Sequence, residues 1–272
     1  MKRLFIALLM AAALPVMGQG PMADWWARNA RPVASVAAWT PAQINTYLWL
    51  DAADSSKVST TPNNTVSQWT DKSTNGCNFY QPTGGAQPAY GSVTINGKSV
   101  ITFDGANDTL TNKMLRVQPF WTFAIYRVIN AWNAADADVF YSYSGSFALR
   151  PWWSGSGNPW IAYAGQYPPE VQGNGSKAPI GTNVWATYWN GAGSTNYFNA
   201  VAGDTGNAGA YGFSGATLLG KGTVFLKFDL AELIATPPLS AGDRQKIEGY
   251  VCWKWGIQTS LPTNHPYYSA AP

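Results

Sequence analysis

The chain has 272 residues, of which 46% are hydrophobic and only 11% are charged, and its formal net charge is +3. Charged residues make up about a quarter of an ordinary globular chain, so uncharged polar residues and glycine must cover most of this surface. The basic residues form no cluster, which argues against a nucleic-acid partner. The single histidine argues against a histidine-based metal site.

The N-terminal region has the layout of a targeting segment. Two basic residues precede an apolar run over residues 4–17, and small residues follow. This order is typical of a secretory signal peptide, and the run is shorter than the ~20 residues of a membrane-spanning helix. Residues 1–20 are predicted to be a signal peptide or, alternatively, a retained apolar arm. Residues 21–38, which include Trp25 and Trp26, are interpreted as a linker or arm.

Strand signals dominate from residue 39 onward, where β-branched and aromatic runs alternate with Gly, Asn, Pro and Ser. The predicted strands are Tyr47–Leu50, Val66–Thr70, Ser99–Phe103, Trp121–Val128, Val139–Tyr143, Phe147–Arg150, Trp160–Ala164, Asn183–Trp189, Ser194–Asn199, Thr217–Gly220 and Thr223–Ile234. Many short strands predict a sandwich or jelly roll, here one domain over residues 39–272. Trp49 and Trp69 are expected to fill the space between its sheets.

Helical pattern is confined to Pro41–Thr46 and Ser240–Trp255. Ser240 is a suitable N-cap, and Asp243 would interact favourably with the helix dipole from the first turn. Four apolar residues fall at helical spacing and predict one buried face: Ile247, Tyr250, Val251 and Trp255. Gly256 follows, where a left-handed residue would end the helix.

Four segments carry a shared pattern: LWLDAAD (Leu48–Asp54), VSQWTDKSTNG (Val66–Gly76), NGKSVITFDGANDTL (Asn96–Leu110) and the C-terminal stretch Lys227–Pro272. Together they resemble the laminin-G-like, concanavalin A-like lectin/glucanase superfamily, in the form found in phage and bacterial surface proteins. The resemblance implies an all-β fold: a two-sheet antiparallel jelly roll with one short C-terminal helix packed on its side. It specifies fold rather than function, because this superfamily includes lectins, hydrolases, receptor modules and virion proteins.

The acidic residues do not reproduce the catalytic pattern of that superfamily. Its glucanases carry two glutamates and an aspartate close together on one strand, and glycoside hydrolysis needs paired carboxylates. This chain has three glutamates, Glu170, Glu232 and Glu248, which lie far apart in sequence. His265 has no nucleophile motif beside it, so we expect a structural histidine. The sequence therefore predicts a protein that is not an enzyme, with a glycoside hydrolase-like enzyme as an alternative.

Asp104, Asn107 and Asp108 form the best calcium candidate, because calcium takes oxygen ligands from loops. Aspartate and asparagine also stabilise turns, and we prefer that role here. No cofactor is expected unless it is Ca²⁺ at this cluster. Cys77 and Cys252 form either a disulfide that closes a long loop or two buried free thiols.

Carbohydrate binding needs flat aromatic faces beside neutral polar groups. The loop-rich middle of the chain offers six aromatic residues as a ligand-binding set: Trp132, Trp152, Trp153, Trp160, Tyr163 and Tyr167. Trp and Tyr are also enriched at protein interfaces, so the ligand is either a glycan or another protein.

These observations predict a surface-displayed virion protein or a secreted bacterial protein. Its expected role is adhesion to cell-surface glycan or decoration of a particle, and its expected location is extracellular or the virion surface. The alternative is a purely structural assembly subunit that binds neighbouring subunits through the N-terminal arm and Trp-rich loops. Homo-oligomers fit that alternative, and no stable membrane span is expected.

Overall fold

The structure, a computed structural model, describes residues 38–128, 137–142, 147–151, 160–165, 171–172 and 180–272. The chain divides into two units, residues 1–37 and residues 38–272, and every described element belongs to the second. No helix within the described ranges is long and apolar enough to cross a membrane.

The described residues form seventeen strands. In chain order they are β1 (Leu48–Asp51), β2 (Val58–Thr60), β3 (Val66–Trp69), β4 (Phe79–Tyr80), β5 (Ala89–Ile95), β6 (Lys98–Asp104), β7 (Leu110–Asn112), β8 (Phe120–Val128), β9 (Phe140–Ser142), β10 (Phe147–Arg150), β11 (Ile161–Ala164), β12 (Val171–Gln172), β13 (Gly181–Trp189), β14 (Ser194–Phe198), β15 (Val201–Gly206), β16 (Thr217–Leu219) and β17 (Lys227–Thr236).

The strands form two antiparallel sheets. Sheet A has the order β15-β14-β13-β8-β17-β6-β5, and β1 pairs with the C-terminal half of β17. Sheet B has the order β12-β11-β10-β9-β16-β7-β4-β3-β2. This architecture, with one C-terminal helix, confirms the predicted all-β class of two antiparallel sheets.

Large aromatic side chains fill the space between the sheets. In β10, Phe147 and Leu149 point into this core while Ala148 points away, as the two-residue period of a strand requires. The largest fully buried members are Trp69, Trp185, Trp189, Tyr126, Phe79, Phe103, Phe120, Phe140, Phe147 and Phe228. Each contributes about 1.5–3 kcal/mol through removal of its apolar surface from water, so this core dominates the stability of the fold.

Helix α1 (Ala241–Lys254) packs on the outer face of sheet A. The Ser240 hydroxyl accepts a hydrogen bond of 3.1 Å from the Asp243 backbone N–H, and Gly256 ends the helix region with φ of +72°. The predicted cap, stop and apolar face are confirmed, with Trp255 buried against the sheet.

Some elements differ from the sequence predictions. The predicted helical segment Pro41–Thr46 is a single 3₁₀ turn, Pro41–Gln43. Six strands were not predicted because they are short or largely polar: β2, β4, β5, β7, β12 and β15. Trp49 does not lie between the sheets, because the alternation along β1 turns it outward beneath α1 while Leu48 and Leu50 turn inward.

Candidate functional site

The two outer faces of the sandwich differ in what covers them. On sheet A, outward residues such as Trp49 and Ile234 pack beneath α1 together with its buried Ile247. On sheet B, none of the described helices covers the outer face.

A buried ion pair lies on this outer face of sheet B. The Arg150 guanidinium donates from Nε to Asp138 Oδ1 at 2.8 Å and from Nη2 to Asp138 Oδ2 at 3.2 Å. Its Nη2 also donates to the Tyr163 hydroxyl at 3.1 Å. Asp138 is fully buried and Arg150 is only 8% exposed. A bidentate carboxylate pair fixes the guanidinium plane, so Arg150 and Tyr163 are held rigidly.

Apolar residues surround this ion pair. Ala148, Ile161 and Tyr163 form a small hydrophobic cluster with Tyr141 packed against it. We define the sheet-B site as the outward-facing side chains of β9, β10 and β11 with their acidic partner: Asp138, Tyr141, Ala148, Arg150, Ile161 and Tyr163. Its rigid polar groups beside aromatic rings match the general anatomy of ligand sites.

The six aromatic residues of the predicted ligand-binding set have different outcomes. Tyr163 belongs to the sheet-B site. Trp160, the residue before β11, points into the core between the sheets and is only 3% exposed. Its ring meets Trp185 at 4.5 Å between centroids and also contacts Phe198, so it is a core residue and its ring faces are not open to a ligand. The other four lie outside the described residues: Trp132, Trp152, Trp153 and Tyr167.

A second polar cluster lies beneath α1, where the segments that carry the family resemblance meet. Asp51 in β1 stands directly opposite Glu232 in β17. Like charges opposite each other on neighbouring strands repel. Lys254, the last residue of α1, places its Nζ 2.6 Å from Asp51 Oδ1 and 2.8 Å from Glu232 Oε2. The helix thus supplies the cation that neutralises this carboxylate pair.

Glu232 is fully buried and surrounded by donors. The indole N–H groups of Trp49 and Trp255 donate to it at 2.6 Å and 2.8 Å. Burial raises the pKa of Glu232, and Lys254 opposes that rise. These donors and Lys254 make the Glu232 carboxylate part of the contact between α1 and the outer face of sheet A.

The network extends from Asp51 toward the surface. Lys72 Nζ lies 2.9 Å from Asp51 Oδ2 and 2.9 Å from Asp54 Oδ2. Its hydrogen bonds to these carboxylates raise the pKa of Lys72 although burial acts in the opposite direction. The same ammonium stands 4.4 Å from the Trp49 ring centroid. Sequence spacing alone could not reveal this network, since its members are far apart in the chain.

His265 is part of the contact between the C-terminal tail and α1. The Tyr267 backbone N–H donates to His265 Nδ1 at 3.2 Å, so the ring proton lies on Nε2, which faces Glu248 Oε2 at 3.3 Å. Glu248 is also bound by Arg244 from the preceding turn. His265 thus links the C-terminal tail to α1 through Glu248.

The calcium candidate forms a turn. Asp104 Oδ1 accepts hydrogen bonds from the backbone N–H groups of Ala106 at 2.8 Å and Asn107 at 3.2 Å, and Asp108 accepts one from Asp104 N–H at 2.9 Å. Partial burial acts to raise the pKa of Asp104, but these backbone donors lower it. Burial raises the pKa of Asp108. The described residues contain no group of three His, Cys, Asp or Glu side chains that could hold a metal.

The two cysteines are free thiols, so the candidate disulfide is not formed. The physical reason is their location in different hydrophobic clusters. Cys77 packs at the edge of the core between the sheets, whereas Cys252 is buried between α1 and the outer face of sheet A. Burial, with a smaller effect from Glu248, raises the pKa of Cys252 to about 12.

The fold can now be compared with known proteins. No protein-family model matches the chain, and no curated protein matches it. Domain 4 of a GH43 extracellular arabinanase from Geobacillus stearothermophilus, in complex with arabinotriose, is similar in structure, with a TM-score of 0.52 and 14% sequence identity. The likeness covers 71% of this chain and 92% of that domain. This likeness is consistent with the predicted sandwich. It does not confirm the laminin-G-like assignment, which stays a prediction.

Two other similar structures have lower scores. Trypanosoma rangeli sialidase has a TM-score of 0.48 and 10% identity, with 85% of this chain and 38% of the sialidase covered. An arabinofuranosidase complexed with arabinofuranosyl-alpha-1,2-xylobiose has a TM-score of 0.45 and 13% identity, with 80% of this chain and 58% of that chain covered. This chain thus corresponds to only part of each of these enzymes.

The prediction that the chain is not an enzyme was wrong. It rested on acidic residues scattered along the sequence, whereas the fold is similar to domain 4 of a GH43 extracellular arabinanase. Asp229 also stands only three residues before Glu232. At these identities the likeness concerns the fold and establishes no activity for this chain.

Proposed function

We propose that this domain binds a glycan at the sheet-B site. The observation that carries the proposal is the buried, rigid arrangement of Asp138, Arg150 and Tyr163 on the outer face of sheet B. The solvated face of an antiparallel sheet commonly carries polar side chains in contact with water, whereas these three side chains are buried and bonded to one another. Four aromatic residues of the predicted set lie outside the described residues and remain proposed glycan-binding residues: Trp132, Trp152, Trp153 and Tyr167.

The charges of the sheet-B site favour a neutral sugar. Asp138 binds Arg150 through two hydrogen bonds, so the positive charge is already compensated within the site. The pair therefore presents hydrogen-bonding groups in fixed positions to a ligand, rather than a net charge. The Arg150 guanidinium carbon lies over the Tyr163 ring, 5.3 Å from its centroid, so the ring packs against the pair and its hydroxyl accepts a hydrogen bond from it.

An extracellular location fits this function. The chain carries few charges, which suits contact with hydroxyl-rich partners, and the arabinanase whose domain shares the fold is described as extracellular. Adhesion as part of a secreted bacterial protein or a virion belongs to the same proposal.

Calorimetric titration of the full chain with neutral oligosaccharides tests the proposal. Arabinotriose is the first probe, since the similar arabinanase domain was captured with it. Tyr163→Phe removes the hydroxyl that Arg150 contacts, and we expect affinity to fall about tenfold because one hydrogen bond to a charged group is lost. Tyr211→Phe makes the same change at a residue that is 51% exposed and lies outside the sheet-B site, and should leave binding unchanged.

The same samples are analysed for shortened sugars, so that binding and turnover are distinguished. Unchanged affinity in Tyr163→Phe would remove the sheet-B site from the proposal. Absence of saturable binding across a panel of neutral and acidic glycans would overturn glycan binding itself.

A further inference from the structure

An open groove of about 540 Å³ lies where the connection between β7 and β8 meets two other loops. We call it the Arg116 groove. Its lining residues are Tyr47, Leu115, Arg116, Val117, Phe213 and Ser214. This volume lies within the range of about 300–1,000 Å³ typical of small-ligand sites.

The floor of the groove is held in place by backbone contacts. The Arg116 backbone N–H donates to the Phe213 carbonyl at 2.8 Å. A side chain at Gly212 would place its Cβ 1.9 Å from the Arg116 carbonyl oxygen, so only glycine permits this approach. The Gln118 side chain also donates to the Gly209 carbonyl at 3.0 Å. The groove is therefore preformed and does not need a ligand to organise it.

The guanidinium of Arg116 lacks a carboxylate partner among the described residues. Its Nη1 donates to the Leu115 carbonyl at 2.7 Å and its Nη2 to Asn75 Oδ1 at 2.9 Å, and both acceptors are neutral. Its Nε is buried without a hydrogen-bond partner in the described residues. The guanidinium carbon stands 4.7 Å from the Tyr47 ring centroid. A cation fixed by neutral acceptors and an aromatic ring is suited to receive an anion.

The walls of the groove are apolar and open to solvent. Leu115 is 64% exposed and Val117 is 85% exposed, whereas the Phe213 ring between them and the core is buried. Exposed apolar side chains beside a cavity are a signature of ligand or partner sites. Few polar groups line the walls, which disfavours a sugar and favours an apolar ligand body.

We propose that the Arg116 groove binds a small organic acid, with its carboxylate on Arg116 and an aromatic or branched aliphatic body against Leu115, Val117 and Tyr47. The charge of Arg116 selects the carboxylate and the walls select the apolar body. This site shares no residue with the sheet-B site, so the proposal stands or falls independently of glycan binding.

Titration of the full chain with phenylacetate, 2-phenylethanol and glucuronate tests both parts of the proposal. We expect saturable phenylacetate binding that is at least about tenfold tighter than binding of the other two, since one lacks the charge and the other the apolar body. Val117→Glu places a negative charge at the rim and should abolish phenylacetate binding. Val201→Glu makes the same substitution at another exposed valine, 54% exposed on β15, and should have no effect.

Arg116→Gln removes the cation directly and should reduce binding by at least tenfold while circular dichroism verifies the fold. Equal affinity for phenylacetate and 2-phenylethanol would overturn the role of Arg116. Equal affinity for phenylacetate and glucuronate would overturn the apolar assignment. Binding that survives Val117→Glu, or absence of saturable phenylacetate binding, would remove the site.

Discussion

The outer faces of the two sheets carry similar groups in different settings. Beneath α1, Lys254 lies between Asp51 and Glu232 with indole donors around them. On sheet B, Arg150 pairs with Asp138 beside a tyrosine. Both sets combine a cation, buried carboxylate and aromatic rings. The difference is the origin of the cation, which comes from the covering helix on sheet A and from a strand of the sheet itself on sheet B.

This difference separates a structural role from a candidate binding role. On sheet A, the ion network spans two layers, so its loss would weaken the attachment of α1. On sheet B, the described contacts of the ion pair join Asp138, just before β9, to Arg150 in β10 and Tyr163 in β11. A buried charged cluster is therefore not by itself evidence of a functional site, because the question is which elements it connects. The two predictions for Lys254 below test whether the ion network on sheet A stabilises the attachment of α1.

The largest effect is expected for Lys254→Met. This change leaves the buried Glu232 carboxylate without a cation, although Lys72 still pairs with Asp51, so we expect the free energy of unfolding to fall by about 3–5 kcal/mol. Urea denaturation measures it. The matched control is Lys246→Met in the same helix, whose partner Asp243 is exposed. It should cost less than about 1 kcal/mol.

The defect of Lys254→Met should depend on pH. Because the pKa of Glu232 is raised in the folded protein, its ionisation costs folding free energy, and this cost grows as pH rises. The variant should therefore be closer to the unmodified protein at pH 5 than at pH 8. Adding Glu232→Gln should recover part of the loss. A defect of equal size at both pH values would show that packing, rather than charge, is responsible.

A smaller effect is expected where the C-terminal tail packs on α1. A methyl group at Gly249 would stand 2.6 Å from Tyr267 Cβ, so Gly249→Ala should displace the tail and cost about 1–3 kcal/mol. Gly242→Ala in the same helix meets nothing closer than 3.9 Å. It should be neutral or stabilise by up to about 1 kcal/mol, because alanine favours helix. Thermal unfolding of both variants measures the contrast, and equal melting temperatures would contradict it.

Much of the fold could be predicted from the sequence because its signals are local. The alternation in Trp121–Val128 and the cap residues Ser240 and Gly256 identify their elements without tertiary context. The missed strand β5 has a glycine at position 91 with positive φ and an exposed middle, so its pattern is weak. The prediction that Trp49 lies between the sheets was wrong, since Trp49 lies beneath α1. Alternation along a strand shows which residues share a face, and only the complete fold shows which face is turned toward the other sheet.

The candidate site was less predictable. Tyr163 could be suggested by composition, but Trp160 in the same segment is a core residue. The two-residue period of a strand places these residues on opposite faces, and nothing local shows which face is the core. Arg150 was missed as a site residue because its role depends on Asp138, twelve residues away, and on a neighbouring strand. The Arg116 groove was missed for the same reason, since its walls come from three separate parts of the chain.

The smallest effect concerns the exposed end of the network on sheet A. The Ser56 hydroxyl and Lys72 lower the pKa of Asp54 from 3.8 to about 2 in the folded protein. A lowered folded pKa gives stability that is present above pH 3.8 and lost as pH falls toward 2. Asp54 is partly open to solvent, so Asp54→Asn should cost only about 1 kcal/mol at pH 7. The difference should shrink when unfolding is measured at pH 3, and a constant difference would show that Asp54 acts through its shape rather than its charge.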